Sequence, residues 1–252
     1  MTDVANFPEP HALKTPRRLY SDAQKRLCRP LLALTTILLF AAASASRDDM
    51  LAIGQAGFTL DARETTNAEM AAFLNEMGNP RVRATFLVEL RSKYALIEEL
   101  DGIFKAKDGY ADHPAIEVSF EGARAYCEWA GKALPAEAQW QQACSGPDSL
   151  VYPWGDEYST PDRANIKGAK DGFPRTAPVG SFPQGRSPNG LWDMGGNVWE
   201  WTVGPEDRPI LRGGSWSNGP MFTRCSKRDD PSSSHSFFQG HSVGFRCAQK
   251  TP

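Results

Sequence analysis

From Cys144 to the C-terminus the sequence loses helical periodicity and becomes a series of turns built on Tyr152-Pro-Trp-Gly-Asp156, Ser187-Pro-Asn-Gly190 and Arg212-Gly-Gly-Ser-Trp216. All seven tryptophans lie between Trp129 and Trp216, so the largest side chains available to a core are concentrated where regular structure is least expected. Long helices or ladders cannot hold such a half together. Buried tryptophans, disulfides and bound ions are the devices left to fix it. The composition is otherwise that of an ordinary globular chain, 40% hydrophobic and 23% charged over 252 residues, the size of one or two domains. A formal net charge of -2 and the lack of any long Lys/Arg run argue against a nucleic-acid partner.

Residues Pro30 to Ala45 carry no charge and follow a leader with six basic side chains (Lys14, Arg17, Arg18, Lys25, Arg26, Arg29) against three acidic ones. That is the pattern of a targeting segment whose basic flank stays in the cytoplasm. The apolar run is shorter than the roughly 20 residues a span usually needs, and Ala43-Ser44-Ala45 fits a cleavage site before Ser46. A cleaved signal peptide is the first reading. The long leader keeps an uncleaved anchor open as the alternative, which makes the membrane a partner through this segment only. Residues 1–45 are therefore read as leader and signal peptide or anchor, and 46–252 as a periplasmic or otherwise extracytoplasmic domain. Beyond Cys28, on the cytoplasmic side, Cys127, Cys144, Cys225 and Cys247 remain. Four cysteines permit two disulfides in three connectivities, and no CxxC spacing points to zinc or redox chemistry.

Upstream of Cys144 the local signals are stronger. Thr66 and Glu69 form a T-x-x-E capping box, and Met70, Phe73, Leu74 and Met77 follow at helical spacing before Gly78. Asp101-Gly102 between apolar residues predicts a short hairpin. A second helix is expected from Ser119 to Gly131 with Ala123, Tyr126, Cys127 and Ala130 on one face, and a third from Pro135 to about Cys144 with Trp140 inward.

A set of ordered motifs spans the chain from about Ala56 to Cys247. It comprises Ala125-Tyr-Cys-Glu-Trp-Ala-Gly-Lys-Ala-Leu-Pro-Ala-Glu-Ala-Gln-Trp140, Tyr152-Pro-Trp-Gly-Asp156, Thr176-Ala-Pro-Val-Gly-Ser-Phe-Pro183, Gly190-Leu-Trp-Asp-Met-Gly-Gly-Asn-Val-Trp-Glu-Trp201, Leu211-Arg-Gly-Gly-Ser-Trp216 and Val243-Gly-Phe-Arg-Cys247. This series resembles the formylglycine-generating enzyme family, the sulfatase-modifying factors. The resemblance implies an α+β, irregular, loop-rich fold of the C-type-lectin-like kind. It also implies that Cys127 pairs with Cys247 and Cys144 with Cys225.

Two structural calcium sites carry over in the same way. The first falls on Asn165, Ile166, Asp171 and Phe173, with side-chain oxygens from Asn165 and Asp171 and carbonyls from the other two; the second falls on Asp193, Gly196, Val198 and Glu200. Read without the resemblance, Asp171 serves a turn before Gly172, while Asp193 and Glu200 accept from backbone amides. Two carboxylates among Trp192, Trp199 and Trp201 need a compensating charge, which favours an ion at the second site.

The family's reaction oxidises a cysteine of a client sulfatase with oxygen, using two copper-binding cysteines shortly after Gly-Gly-Ser. Here the first of those positions is Asn218, and the second is Thr223 or is lost in a short deletion before Cys225. Cys225 matches the structural half-cystine, so no copper is expected at that place. Other branches of the superfamily include iron-dependent sulfoxide synthases with an extra helical domain, a periplasmic factor for pyoverdine chromophore maturation, and binding modules.

Of the four histidines, His11 lies in the leader and His113 precedes Pro114. His235 and His241 flank Ser236-Phe-Phe-Gln-Gly240 and read either as a base or metal ligand or as solvated loop residues. Ser215 joins them as a catalytic candidate, and Ser215, Asn218, Thr223 and Ser242 are the candidate groove residues. The expected role is an exported accessory or maturation factor acting on a protein or peptide-derived substrate, as an oxidase or as a non-enzymatic binding or assembly subunit.

Overall fold

The computed structural model describes residues 49–251, apart from 83–84, 158–160, 169 and 233–239. The leader and apolar run of residues 1–45, with Cys28 and His11, and His235 in the C-terminal loop lie outside the described residues. The first half contains β1 (Met50–Ala52), β2 (Phe58–Asp61), α1 (Asn67–Met77), β3 (Arg81–Val82), β4 (Thr85–Phe86), β5 (Ile97–Leu100), β6 (Ile103–Ala106), α2 (Phe120–Trp129) and α3 (Glu137–Ser145). The second half contains β7 (Trp199–Val203), β8 (Pro209–Arg212), β9 (Arg228–Asp229), β10 (Val243–Gly244) and β11 (Ala248–Lys250). The result is a loop-rich α+β fold of few helices and several small sheets.

The capping box forms as the sequence demands. Thr66 Oγ1 accepts from the Glu69 amide, Glu69 Oε2 accepts from the Thr66 amide, and the helix ends at Gly78 with φ +75°. Met70, Phe73 and Leu74 are buried, but Met77, expected on the same face, is 57% exposed because the last turn runs past the core. The Asp101-Gly102 turn joins β5 to β6. Ser119 caps α2, and Gly122 is required there, since a Cβ would lie 2.2 Å from the Leu87 carbonyl oxygen. Ala130, expected on the buried face, is the C-cap and only partly buried. The third helix begins two residues after Pro135. The Pro135 carbonyl is taken by the Val203 amide and Ala136 bridges to Val203, which keeps this segment extended.

Two sheets close the fold. β2 sits between β1 and β11 and so joins the start of the domain to its end, while the second sheet runs β10-β7-β8-β9 with β7 parallel to β10 and antiparallel to β8. Irregular structure dominates the last hundred residues as expected, with the second sheet as its main ordered part. Between 146 and 198 the chain has neither strand nor α-helix among the described residues, but the tryptophan segment itself is a strand. Its hairpin to β8 is closed by Gly204 and by Glu206 and Asp207 in the left-handed region.

The disulfides are Cys127–Cys247 and Cys144–Cys225, the pairs the resemblance implies. Each sits in its own apolar cluster. Cys127–Cys247 lies with Phe73, Tyr126, Trp199 and Phe245, and Cys144–Cys225 with Trp140, Leu191 and Met194. Arg212, buried on β8, reinforces the second by donating to the Cys225 carbonyl and to Glu137 and Gln141 of α3. Alkylation without reduction, followed by proteolysis and mass spectrometry, is expected to give these two linked peptides. Reduction should cost about 2–5 kcal/mol per bridge in denaturant titrations; free thiols at these four positions would contradict the assignment.

Candidate functional site

The floor of the site is a buried ion pair. Arg246, between Phe245 and Cys247, donates from Nε to Glu200 Oε2 and from Nη2 to Glu200 Oε1, both at 2.7 Å, and neither side chain is exposed. Its other donors go to the carbonyls of Asp61, Ala62 and Trp192, so all five guanidinium N–H groups are used. Trp140 of α3 donates from Nε1 to Glu200 Oε2 at 2.8 Å. Two further buried carboxylates surround this pair. Glu64 accepts from Asn197 Nδ2 and the Val198 amide, and Asp193 Oδ2 accepts from the Gly180 amide.

Three carboxylates thus share one guanidinium. Burial, with the nearby charges of Asp193 and Glu200, raises Glu64 well above the ordinary carboxylate value. Burial likewise lifts Asp193 to about 6, against the opposing Gly180 amide and Arg246. Burial works against the charge of Arg246, but Glu200 together with Glu64 and Asp193 outweighs it and holds the guanidinium above its ordinary value.

Above this floor the chain makes a sharp turn at Gly213 and Gly214, both at positive φ, where a Cβ on Gly214 would meet the Phe222 carbonyl at 2.8 Å. The turn carries Ser215, which is fully buried and whose Oγ donates to Asn218 Oδ1 at 2.6 Å and accepts from the Ser217 amide. The Asn218 carbonyl accepts from the Lys167 amide, which joins the groove to the segment of the first calcium candidate. Thr223 is buried and its Oγ1 donates to the Pro220 carbonyl. Ser242 is buried in a short 3-10 turn beside His241. The indole N–H groups of Trp199 and Trp216 are buried without a hydrogen-bond partner among the described residues.

His241 is half-buried and packed against aromatic rings from other segments of the chain. Its ring stacks on Tyr94 at 4.1 Å and lies 5.6 Å from Trp216, and burial, followed by Arg175 and Lys93, lowers its pKa. Arg175 and Lys93 in turn lie 4.8 and 4.9 Å from the Tyr94 ring centre. His113 is packed against Tyr110 and bonded to Thr176.

The calcium candidates differ in how they suit an ion. At the first, Asp171 Oδ1 makes the expected turn by accepting from the Phe173 amide, while Oδ2 is buried with no hydrogen-bond partner among the described residues. Asn165 donates its amide N–H groups to Arg175 O and Asn197 Oδ1. An unpartnered buried carboxylate oxygen is a donor of the kind calcium takes. At the second, the charge argument for an ion is corrected, because the compensating charge for Glu200 is Arg246. Both of its oxygens accept from Arg246 and Trp140, and Glu200 lies on β7 rather than in a loop, so an ion is not needed to balance its charge. Asp193, Gly196 and Val198 remain in the adjoining loop, where Asp193, Gly196 and Asn197 adopt positive φ. Sequence reasoning missed Glu64, Tyr94, Lys93 and Arg175, and gave Arg246 no role although it sits in the Gly-Phe-Arg-Cys motif.

A family model described as the sulfatase-modifying factor enzyme 1-like domain matches residues 42–251. The chain is 38% identical over 160 residues to "Inactive C-alpha-formylglycine-generating enzyme 2" of Bos taurus, covering 54% of this chain and 50% of that protein. To the formylglycine-generating enzyme of Mus musculus it is 32% identical over 254 residues, covering 76% of this chain and 66% of the relative. The chain thus spans about half the length of the bovine relative and about two thirds of the murine one. Among solved structures, PvdO from Pseudomonas aeruginosa superposes with a TM-score of 0.57 at 26% identity, covering 77% of this chain and 80% of PvdO.

Arg246→Met is expected to destabilise the protein by about 3–5 kcal/mol, because it leaves Glu200 buried and unpaired, and Glu200→Met should cost a similar amount. Replacing both by methionine should cost less than the sum of the two. Urea titration checks this, and a single variant that loses less than about 1 kcal/mol, the range of an exposed pair, would contradict it.

Proposed function

The chain belongs to the formylglycine-generating enzyme, or sulfatase-modifying factor, family, and on that premise we propose that it is an extracytoplasmic accessory or maturation factor. In this reading it holds a protein or peptide-derived substrate in the groove around Ser215, Asn218 and Ser242, without copper-thiolate chemistry. The observation that carries the reading is what stands after Gly-Gly-Ser. Asn218 is locked to Ser215, Thr223 is bonded to the Pro220 carbonyl, and Cys225 is consumed in a disulfide. An amide and a protonated alcohol are poor ligands for Cu(I), which selects thiolates. Two disulfides and the basic leader with its apolar run support an oxidising, extracytoplasmic location.

The residues present can bind and orient. Ser215 and Asn218 fix one another, and the amides of Trp216, Ser217 and Asn218 are all taken within the protein, which makes this turn a rigid element against which an extended chain can lie. The closed Ser215–Asn218 network also favours a second reading, a non-enzymatic binding or assembly subunit. Oxygen uptake with the product of a neighbouring gene as substrate separates an oxidase from a binding subunit. Calcium belongs to the same proposal as a structural ion held by the side chains of Asn165 and Asp171 and the carbonyls of Ile166 and Phe173, for which the unpartnered Asp171 Oδ2 is the support.

A sulfatase-type peptide incubated with the purified protein, Cu(I) and oxygen is expected to keep its cysteine by mass spectrometry. Formation of an aldehyde that is lost on changing Cys225 would overturn the assignment of that residue. Chelation of calcium is expected to lower the melting temperature of the wild-type protein, and Asp171→Asn should remove that dependence. An identical melting curve with and without chelator would leave Asp171 as a turn residue.

A further inference from the structure

We propose that Tyr94, His241 and Trp216, edged by Lys93 and Arg175, form an anion-recognising ledge that binds an acidic side chain of the peptide lying in the adjoining groove; the assignment of a peptide rests on the functional reading above. Four distant pieces of chain converge here. Tyr94 stacks on His241 with rings inclined by 25°, Trp216 packs at 48° to the other ring, and Arg175 and Lys93 are held near the Tyr94 ring. The ledge is continuous with the groove through two peptide bonds, Ser215-Trp216 and His241-Ser242.

Charge gives the ledge its chemistry. Both Lys93 and Arg175 are exposed, and among the described residues neither forms an ion pair. Cation–π contact at an exposed ring is worth about 0.5–1 kcal/mol, enough to orient a cation without neutralising it. Glu117 is the acid that faces this corner, 2.8 Å from where a Cβ on Gly240 would stand, and its carboxylate is taken up by Ser92 Oγ at 2.6 Å. Burial raises the Glu117 pKa, which further weakens it as a counter-ion. Lys93 and Arg175 thus stand near one ring with no acidic partner among the described residues, beside a His241 kept neutral by burial and by these two cations, an arrangement that an anion completes.

A carboxylate fits better than a phosphate. The cations are separate side chains held over one ring, whereas phosphate sites add a concavity of backbone N–H groups. Flat aromatic faces beside single charges suit a peptide plane carrying an acidic side chain.

The test uses the whole chain, a capped Gly-Glu-Gly-Glu-Gly peptide, its Gly-Gln-Gly-Gln-Gly counterpart and inorganic phosphate. The readouts are the His241 imidazole resonances in NMR spectra and tryptophan fluorescence. The acidic peptide is expected to shift the His241 signals and to bind at least about fivefold more tightly than the glutamine peptide, with Lys93→Gln and Arg175→Gln each weakening it roughly fivefold. Circular dichroism controls for folding of these surface variants. Equal binding of the two peptides, or no response at His241, overturns the ledge. Phosphate binding as tightly as the acidic peptide overturns the peptide assignment. If the glutamine peptide binds equally and Ser215→Ala weakens both, the ledge fails while the groove stands; aldehyde formation on a sulfatase-type peptide defeats the functional reading whatever the ledge binds.

Discussion

The Arg246–Glu200 pair is the interaction on which the rest of this structure depends. One guanidinium reaches the end of β2 through the Asp61 and Ala62 carbonyls, the 192–197 loop through Trp192, and β7 through Glu200. Trp140 adds α3 to the same carboxylate. The neighbouring Cys247 carries a disulfide to α2, and its amide donates to Asp61, whose other carboxylate oxygen holds Lys132. Elements that share few ladder hydrogen bonds are therefore tied at one charged point. A pair this deep is a specificity device as much as a source of stability, since either member alone would be a buried, uncompensated charge.

That floor decides what can stand above it. With Trp140 and Glu200 fixed, the Gly213-Gly214 turn passes over the Trp140 ring, with a Gly213 Cβ position 3.2 Å from it, and leads into the buried Ser215. The first-turn side chains then satisfy each other: Ser215 with Asn218 and Ser217, Thr223 with its own backbone turn. All four described cysteines are half-cystines, each packed in an apolar cluster and not available to a soft metal as a thiolate.

What was legible in the sequence was what is local. The Thr66–Glu69 box, the Ser119 cap and the Asp101-Gly102 turn each depend on residues within a few positions of one another, and all three formed. The β7 strand escaped notice because Trp199, Glu200, Trp201 and Thr202 are all buried, so the inside-outside alternation that marks a strand is absent. The need for a charge opposite Glu200 was readable, but its source was not, since Arg246 is 46 positions away. Likewise His241 reads as a loop histidine until Tyr94, Arg175 and Trp216 are brought to it from three other segments. The motif order gave the disulfide partners through resemblance, where spacing alone left three connectivities open.

The central claim is that this family groove operates with no thiolate pair. A competition titration of Cu(I) between a chelator and the protein, with both disulfides kept intact, tests it most directly. The account predicts no tight Cu(I) site, because Asn218 and Thr223 are the groups in place. Stoichiometric Cu(I) binding that is lost on changing Cys225 would contradict it.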